Sequence, residues 1–182
     1  MFNDARSKKI VVTAHCLLNQ NSISDGTADM PSQFDTIVNL LITNKVGIIQ
    51  LPCPEFLCLG LARRDEGGAN RELLAENTRI RALMREERNK EILIKKAQEI
   101  AEQLRDYQKY HFKILGLIGI NRSPSCGVDT TTLDGREMEG HGVFMEILEG
   151  ELSRKKIRLN MVGVKTNREE ESIEKVRNLL EE

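Results

Sequence analysis

Lys9-Ile-Val-Val-Thr-Ala14 is a short run of mainly β-branched residues that ends at a polar segment. Val46-Gly-Ile-Ile-Gln-Leu51, Lys113-Ile-Leu-Gly-Leu-Ile-Gly-Ile120 and Ile157-Arg-Leu-Asn-Met-Val-Gly-Val164 are similar runs. Short apolar runs of this kind are typical of parallel strands that are buried on both faces. The sequence therefore predicts four strands of one parallel sheet.

Helical segments lie between and after these runs. Residues 30–44 carry apolar side chains at helical spacing on one face, and residues 71–110 are rich in Glu, Lys and Arg. Within the second segment, Arg85-Glu-Glu-Arg-Asn-Lys90 lacks an apolar stripe, so we expect two helices or a kink there. Further helices are predicted over about 143–154 and 169–180.

The alternation of strands and helices predicts an α/β fold. Parallel strands joined by helices, with right-handed crossovers, form a three-layer α/β/α, doubly wound domain of the Rossmann or flavodoxin type. We expect a mainly parallel sheet of about four or five strands. The length of 182 residues, with 40% hydrophobic and 30% charged residues, fits one domain over 1–182.

Charge and hydropathy narrow the class of function. The net charge of -1 and a pI near 6.4 disfavour a general nucleic-acid binder, which needs a basic excess. The polar first residues and the short apolar run Ile10-Val-Val12 indicate neither a signal peptide nor a membrane span. We therefore expect a cytoplasmic protein that binds neither nucleic acid nor membrane, in a compartment where its four cysteines stay free of disulfides.

Three of the four cysteines directly follow predicted strands. Cys16 comes after the first strand, Cys53 after the second and Cys126 after the third. Since the carboxyl ends of parallel strands meet at one edge of the sheet, we expect these thiols to lie close together. Cys58 lies in the apolar stretch Phe56-Leu-Cys-Leu59, where packing explains it.

Converging thiolates favour a metal centre, because their negative charges repel one another unless a cation neutralises them. Soft sulfur ligands select zinc or iron–sulfur clusters, and the chain lacks the Cys-x-x-Cys pairs that are usual in structural zinc sites. Three cysteines would leave one iron of a cubane cluster without a protein ligand. Simple burial of any one of these cysteines is about as common as a role in binding.

Polar residues surround the predicted centre. Glu55 follows Cys53 by two positions and is placed to relay protons, and Ser123 and Ser125 precede Cys126. We predict Glu55 and Ser123 as catalytic residues, and substrate binding by Ser125 and by the two residues Arg64 and Asn19. His15 adjoins Cys16, but adjacent residues at a strand end point to opposite faces, so a direct role is the less favoured interpretation.

Three short motifs resemble those of the DUF523 family, whose characterised members are thiouracil desulfidases. They are Cys16-Leu-Leu18, Cys53-Pro-Glu55 and Ser123-Pro-Ser-Cys-Gly127, and the likeness covers about residues 9–148. This chain departs from the usual pattern in Leu17-Leu-Asn-Gln-Asn-Ser22, where typical members have Leu-Leu-Gly, and after Glu55, where it lacks a proline-containing segment. The chain therefore resembles a divergent branch of the family.

The resemblance implies an oxygen-sensitive [4Fe-4S] cluster on Cys16, Cys53 and Cys126. The open iron would take the sulfur of a thiolated small molecule, water would replace that sulfur at carbon, and sulfide would be released. By the same resemblance, Glu55 would transfer protons and Ser123 would assist.

Two alternatives stay open. In one, the protein is a non-catalytic metal-binding or sensing module in which His15 or Cys58 completes a closed zinc or cluster site. In the other, Cys126 is the lone nucleophile of a thiol enzyme, and activity would survive Cys16→Ala and Cys53→Ala.

Overall fold

The core of the protein is a four-stranded parallel sheet. The computed structural model describes residues 2–181. Its strands are β1 (Lys9–Thr13), β2 (Gly47–Gln50), β3 (Lys113–Ile120), β4 (Thr130–Leu133), β5 (Arg136–Glu139) and β6 (Met161–Val164). The parallel sheet has the order β2-β1-β3-β6, and β4 and β5 form a separate antiparallel pair.

Helices cover both faces of the parallel sheet. They are α1 (His15–Leu18), α2 (Asp35–Thr43), α3 (Pro54–Leu59), α4 (Leu73–Met84), α5 (Glu87–Lys109), α6 (Val143–Arg154) and α7 (Glu169–Glu181). One apolar core joins Val12 of β1 to α3, α4, α5 and α6, and a second joins Val11 to α2 and α7. The predicted three-layer α/β/α fold is thus confirmed. Within residues 2–181, every helix is too short or too polar to cross a membrane.

The predicted interruption of the long charged segment is also confirmed. α4 ends at Met84 and α5 begins at Glu87. The side-chain amide of Asn89 donates to the carbonyl oxygen of Leu83 at 2.8 Å, which satisfies a carbonyl group at the end of α4. Two other boundaries differ from the prediction, because α2 begins at Asp35 rather than near residue 30 and β6 begins at Met161 rather than at residue 157.

The hairpin of β4 and β5 is an addition to the four predicted strands. Its turn, Asp134-Gly135, has positive φ at both residues, 49° and 70°, as a two-residue hairpin turn of type I′ requires. The Thr132 hydroxyl donates to the carbonyl oxygen of Arg122 at 2.7 Å, and the Thr131 hydroxyl donates to that of Ser123 at 2.9 Å. The hairpin therefore supports the loop that follows β3.

Candidate functional site

A cavity of about 120 Å³ lies at the carboxyl ends of the parallel strands. Segments that follow β1, β2, β3 and β6 all contribute to its lining. This edge is where open parallel sheets bind ligands, because the connecting loops converge there. Cys16, Cys53 and Cys126 all line this cavity, whereas Cys58 does not.

Cys16 reaches the cavity from the short helix α1. The chain leaves strand geometry at Ala14 and is helical from His15 onward. Strand alternation therefore does not apply to the next two residues, and His15 and Cys16 both line the cavity. The expectation that they point to opposite faces is wrong for this reason.

Cys53 caps the amino end of α3. Its Sγ accepts a hydrogen bond from the backbone N–H of Phe56 at 3.4 Å, and Pro54 occupies the first helical turn, where its missing N–H costs nothing. The thiol is therefore held at the start of α3, and the first turn of this helix places Glu55 at the same cavity.

Cys126 is held by the tight loop between β3 and β4. Its backbone N–H donates to Ser123 Oγ at 3.0 Å, and its side chain is buried. The beginning of α6 packs directly on this loop, since a Cβ at Gly142 would lie 2.4 Å from the carbonyl carbon of Ser125. Only glycine fits at that position, and the close approach fixes the loop that carries the third thiol.

Burial and mutual repulsion favour the neutral form of all three thiols in the absence of a cation. Burial, and then the negative charges of Cys53 and Glu55, raise the pKa of Cys16 to about 12. The pKa of Cys53 is also raised, mainly by burial and by Glu55. Burial, and then the charges of Cys16 and Cys53, raise the pKa of Cys126 well above its ordinary value. The three thiols are thus close enough to influence one another electrostatically.

A site for a single metal ion requires its ligands to lie close together. Among residues 2–181, no group of three or more His, Cys, Asp or Glu side chains is arranged to hold a metal ion. The sulfur ligands of one zinc ion each lie about 2.3 Å from it and therefore crowd together. Cysteines that hold a cubane cluster bind different iron atoms, so their sulfur atoms are spaced more widely.

Glu55 lies at the centre of a buried hydrogen-bond network. Its Oε2 accepts hydrogen bonds from Arg63 Nε at 3.0 Å and from Ser24 Oγ at 3.2 Å. Its Oε1 accepts one from Ser125 Oγ at 2.5 Å. The side chains of Glu55 and Arg63 are only 10% and 3% exposed, so their ion pair is shielded from solvent.

Arg63, rather than the predicted Arg64, lines the cavity. Its guanidinium also donates to the carbonyl oxygens of Gly60 and Leu61 at 3.0 and 2.9 Å, and it lies 3.8 Å from Cys53 Sγ. Arg64 lies outside the lining and pairs with Glu86 at 3.1 Å.

Asn19, another predicted substrate ligand, is also outside the cavity lining. It is exposed at the end of α1, where its amide lies 3.4 Å from Nε2 of His15. Of the three predicted substrate-binding residues, Ser125 alone lines the cavity, together with Glu55 and Ser123.

Several residues of the site escaped the sequence analysis. Ser24 bonds Glu55 from a loop without regular structure, and Asn77 lines the cavity from α4. Arg81, also on α4, donates to the carbonyl oxygen of Pro124 at 3.1 Å and to Thr131 Oγ1 at 2.9 Å. Nothing in the local sequence distinguishes these residues, because Asn77 and Arg81 lie in a charged segment that reads as a solvated helix.

Comparison with known proteins identifies a relative but no activity. No model of a known family matches the chain, and no solved structure matches it, so the resemblance to DUF523 stays a prediction. The uncharacterized protein MJ0003 of Methanocaldococcus jannaschii is 32% identical over 141 residues, which are 78% of this chain and 76% of that protein. The chain belongs to the same family as this archaeal protein.

Proposed function

We propose that the protein is a cytoplasmic desulfidase that depends on a [4Fe-4S] cluster bound by Cys16, Cys53 and Cys126. Its substrate would be a thiolated small molecule, thiouracil-like or a related thioamide, and sulfide would be a product. One observation carries the proposal: cysteines from three separate segments, each of which follows a different strand of the parallel sheet, line one cavity together with a buried carboxylate, Glu55.

The donor set fits such a cluster. Thiolate sulfur is a soft ligand that selects iron–sulfur or zinc centres. Because burial keeps the three thiols neutral in the absence of a cation, a bound metal centre is what would stabilise their thiolate forms. When bound, the cluster would supply a Lewis-acidic iron without a protein ligand, to which a substrate sulfur can bind.

The proposed reaction is a net hydrolysis without electron transfer. The C=S bond of the substrate is replaced by a C=O bond whose oxygen comes from water, and the sulfur leaves as hydrogen sulfide. Glu55 is the base that we assign to the attacking water. Its Oε1 accepts one hydrogen bond in the structure, from Ser125, and a carboxylate oxygen can accept a second, which leaves a position for water.

The two serines of the third motif have different hydrogen-bond partners. The hydroxyl of Ser125 donates to Glu55, so it holds the carboxylate in place. Ser123 Oγ instead accepts the backbone N–H groups of Cys126 and Ser125, at 3.0 and 3.3 Å. Ser123 Oγ also lies 3.4 Å from Ser125 Oγ, and because Ser125 gives its hydrogen to Glu55, Ser123 is the donor in this long contact. We assign Ser123 as the donor to a substrate heteroatom, which would take the place of Ser125 Oγ as the acceptor.

The residues that would close the metal site have other partners. His15 Nδ1 lies 3.0 Å from the carbonyl oxygen of Leu51, and its Nε2 lies 3.4 Å from the amide nitrogen of Asn19. The Sγ of Cys58 lies outside the cavity, 3.9 Å from the carbonyl oxygen of Asn89. These contacts support an open catalytic centre over the alternative, a closed binding or sensing module.

Anaerobic purification followed by iron and acid-labile sulfide analysis tests this function. The purified protein is then assayed for sulfide release from 2-thiouracil, 4-thiouracil and thioacetamide. We expect a coloured, iron-containing protein that releases sulfide from at least one of these compounds. A colourless protein that contains zinc and releases no sulfide would support the binding module instead. Activity that survives Cys16→Ala would indicate a thiol enzyme.

A further inference from the structure

Asn77 is a buried polar residue on the wall of the cavity. It lies on α4, one turn after Leu73, and both residues line the cavity from the same face of that helix. The residue is only 6% exposed. A side-chain amide in such a position needs partners for both its NH₂ group and its oxygen.

The orientation of the Asn77 amide follows from its neighbours. The Thr132 hydroxyl donates its single hydrogen to the carbonyl oxygen of Arg122, at 2.7 Å. Towards Asn77, 3.1 Å away, that hydroxyl can therefore only accept. The NH₂ group of Asn77 must face Thr132, and Oδ1 must face the other way.

The Oδ1 atom of Asn77 is left without a partner. It takes part in no hydrogen bond with the described residues. Among residues 2–181, the unpartnered side-chain atoms that are completely buried are Thr13 Oγ1 and Arg81 Nε, and Asn77 Oδ1 differs from both of them. Since Asn77 lines the cavity and its amide nitrogen faces Thr132, Oδ1 is the polar atom of this side chain that a ligand in the cavity can reach. Asn77 thus presents a fixed hydrogen-bond acceptor to whatever occupies the cavity.

We propose that Asn77 is a specificity-determining residue whose Oδ1 accepts a hydrogen bond from an N–H group of the ligand. The inference rests on the proposed function, because it takes the ligand to be a cyclic thioamide that has N–H groups beside its thiocarbonyl. An amide oxygen cannot donate, so it selects a protonated ring nitrogen over an alkylated one. Sites that hydrogen-bond a substrate N–H strongly reject analogues without it, because the buried acceptor is left unpaired.

Calorimetric binding of matched probes tests this role. Anaerobically purified protein is titrated with 4-thiouracil, 1-methyl-4-thiouracil and 3-methyl-4-thiouracil, in the wild type, Asn77→Leu and Asn77→Asp. We expect one methylated probe to bind the wild type roughly 10- to 100-fold more weakly than 4-thiouracil. That ratio should fall to about 1 in Asn77→Leu and be kept in Asn77→Asp, which retains an acceptor.

The ratio of affinities separates recognition from folding, since partial unfolding of a variant lowers the apparent binding of all probes alike. An unchanged ratio in Asn77→Leu, equal affinities in the wild type, or no binding of any probe would overturn the inference. Sulfide release is measured in parallel. If the affinity ratio falls to about 1 in Asn77→Leu but no sulfide is released, the proposed function alone is refuted. If sulfide is released but the affinity ratio is unchanged in Asn77→Leu, the role of Asn77 alone is refuted.

Discussion

The two ends of the parallel sheet are built from different side chains. At the carboxyl end, three thiols and the Glu55–Arg63 ion pair are gathered in and around one cavity. At the amino end, Phe112 packs edge-to-face against Phe2 and Tyr107, with ring centroids 5.9 and 5.2 Å apart. The amino end is stabilised by apolar contact, whereas the carboxyl end buries polar groups that a purely structural role would not require.

An arginine–carboxylate pair occurs at each end and makes the comparison direct. Arg63 and Glu55 are nearly inaccessible to solvent, whereas Arg6 and Asp4, near the amino end, are 41% and 49% exposed. Arg63 also has a left-handed backbone, with φ of 52°, which is strained for a residue other than glycine. Left-handed residues also precede the strands at the amino end, at Lys8, Lys45 and His111, so burial of the ion pair, rather than backbone strain, distinguishes the carboxyl end.

The largest expected effect is on turnover, from Glu55→Gln. An amide of the same shape keeps the packing but cannot take a proton from water, so we expect sulfide release to fall by roughly 10²- to 10⁴-fold. Iron content should be unchanged, because Glu55 is not a proposed ligand. Asp4→Asn at the other end is the matched control and should retain full activity. Full activity of Glu55→Gln would refute the assignment of the base.

The next largest effect is expected on the free energy of unfolding, from the substitution Arg63→Met. Removing the guanidinium leaves the Glu55 carboxylate buried and unpaired, which typically costs about 3–5 kcal/mol in the free energy of unfolding. Arg6→Met, which breaks the exposed pair, should cause little change, because solvent screens that pair. Chemical denaturation of both variants measures the difference. Equal losses would mean that burial does not distinguish the two pairs.

Local patterns predict the elements of the fold but few contacts of the site. The strands and the interruption near Arg85 depend on residues that are neighbours in the sequence, which is why those predictions are confirmed. The turn signal Asp134-Gly135 is also local and would have predicted the hairpin. That Arg63 rather than Arg64 reaches Glu55 depends on how two adjacent left-handed residues direct their side chains, and only the folded chain specifies this.

A smaller effect is expected at the amino end, from Phe112→Leu. The change removes two edge-to-face aromatic contacts, which together contribute on the order of 1 kcal/mol beyond the apolar area that they bury. Thermal unfolding should show a modest loss of stability, whereas iron content and sulfide release should stay at the wild-type level. A loss of iron in Phe112→Leu would contradict the separation of the two ends.

The smallest effect is expected from Glu76 on α4, which pairs with Arg71 and Arg79, and it depends on pH. Hydrogen bonds from Arg79 and then from Arg71 outweigh burial and lower the pKa of Glu76. A carboxyl group with a lowered pKa stabilises the fold above its unfolded-state pKa, and this contribution is lost as the pH falls through the folded-state pKa. Glu76→Gln should therefore cost up to about 1 kcal/mol at pH 7, and the difference should shrink below about pH 4. Urea denaturation at pH 7 and pH 3.5 measures it, and a difference that grew in acid would contradict this sign.

The most direct test of the shared metal centre is the iron and acid-labile sulfide content of single-cysteine variants purified without oxygen. We expect about four iron and four sulfide per chain in the wild type and in Cys58→Ala, whose thiol lies outside the cavity. Cys16→Ala, Cys53→Ala and Cys126→Ala should each lose most of both. Equal iron in all four variants, or its loss only from Cys58→Ala, would contradict a cluster on the three cavity cysteines.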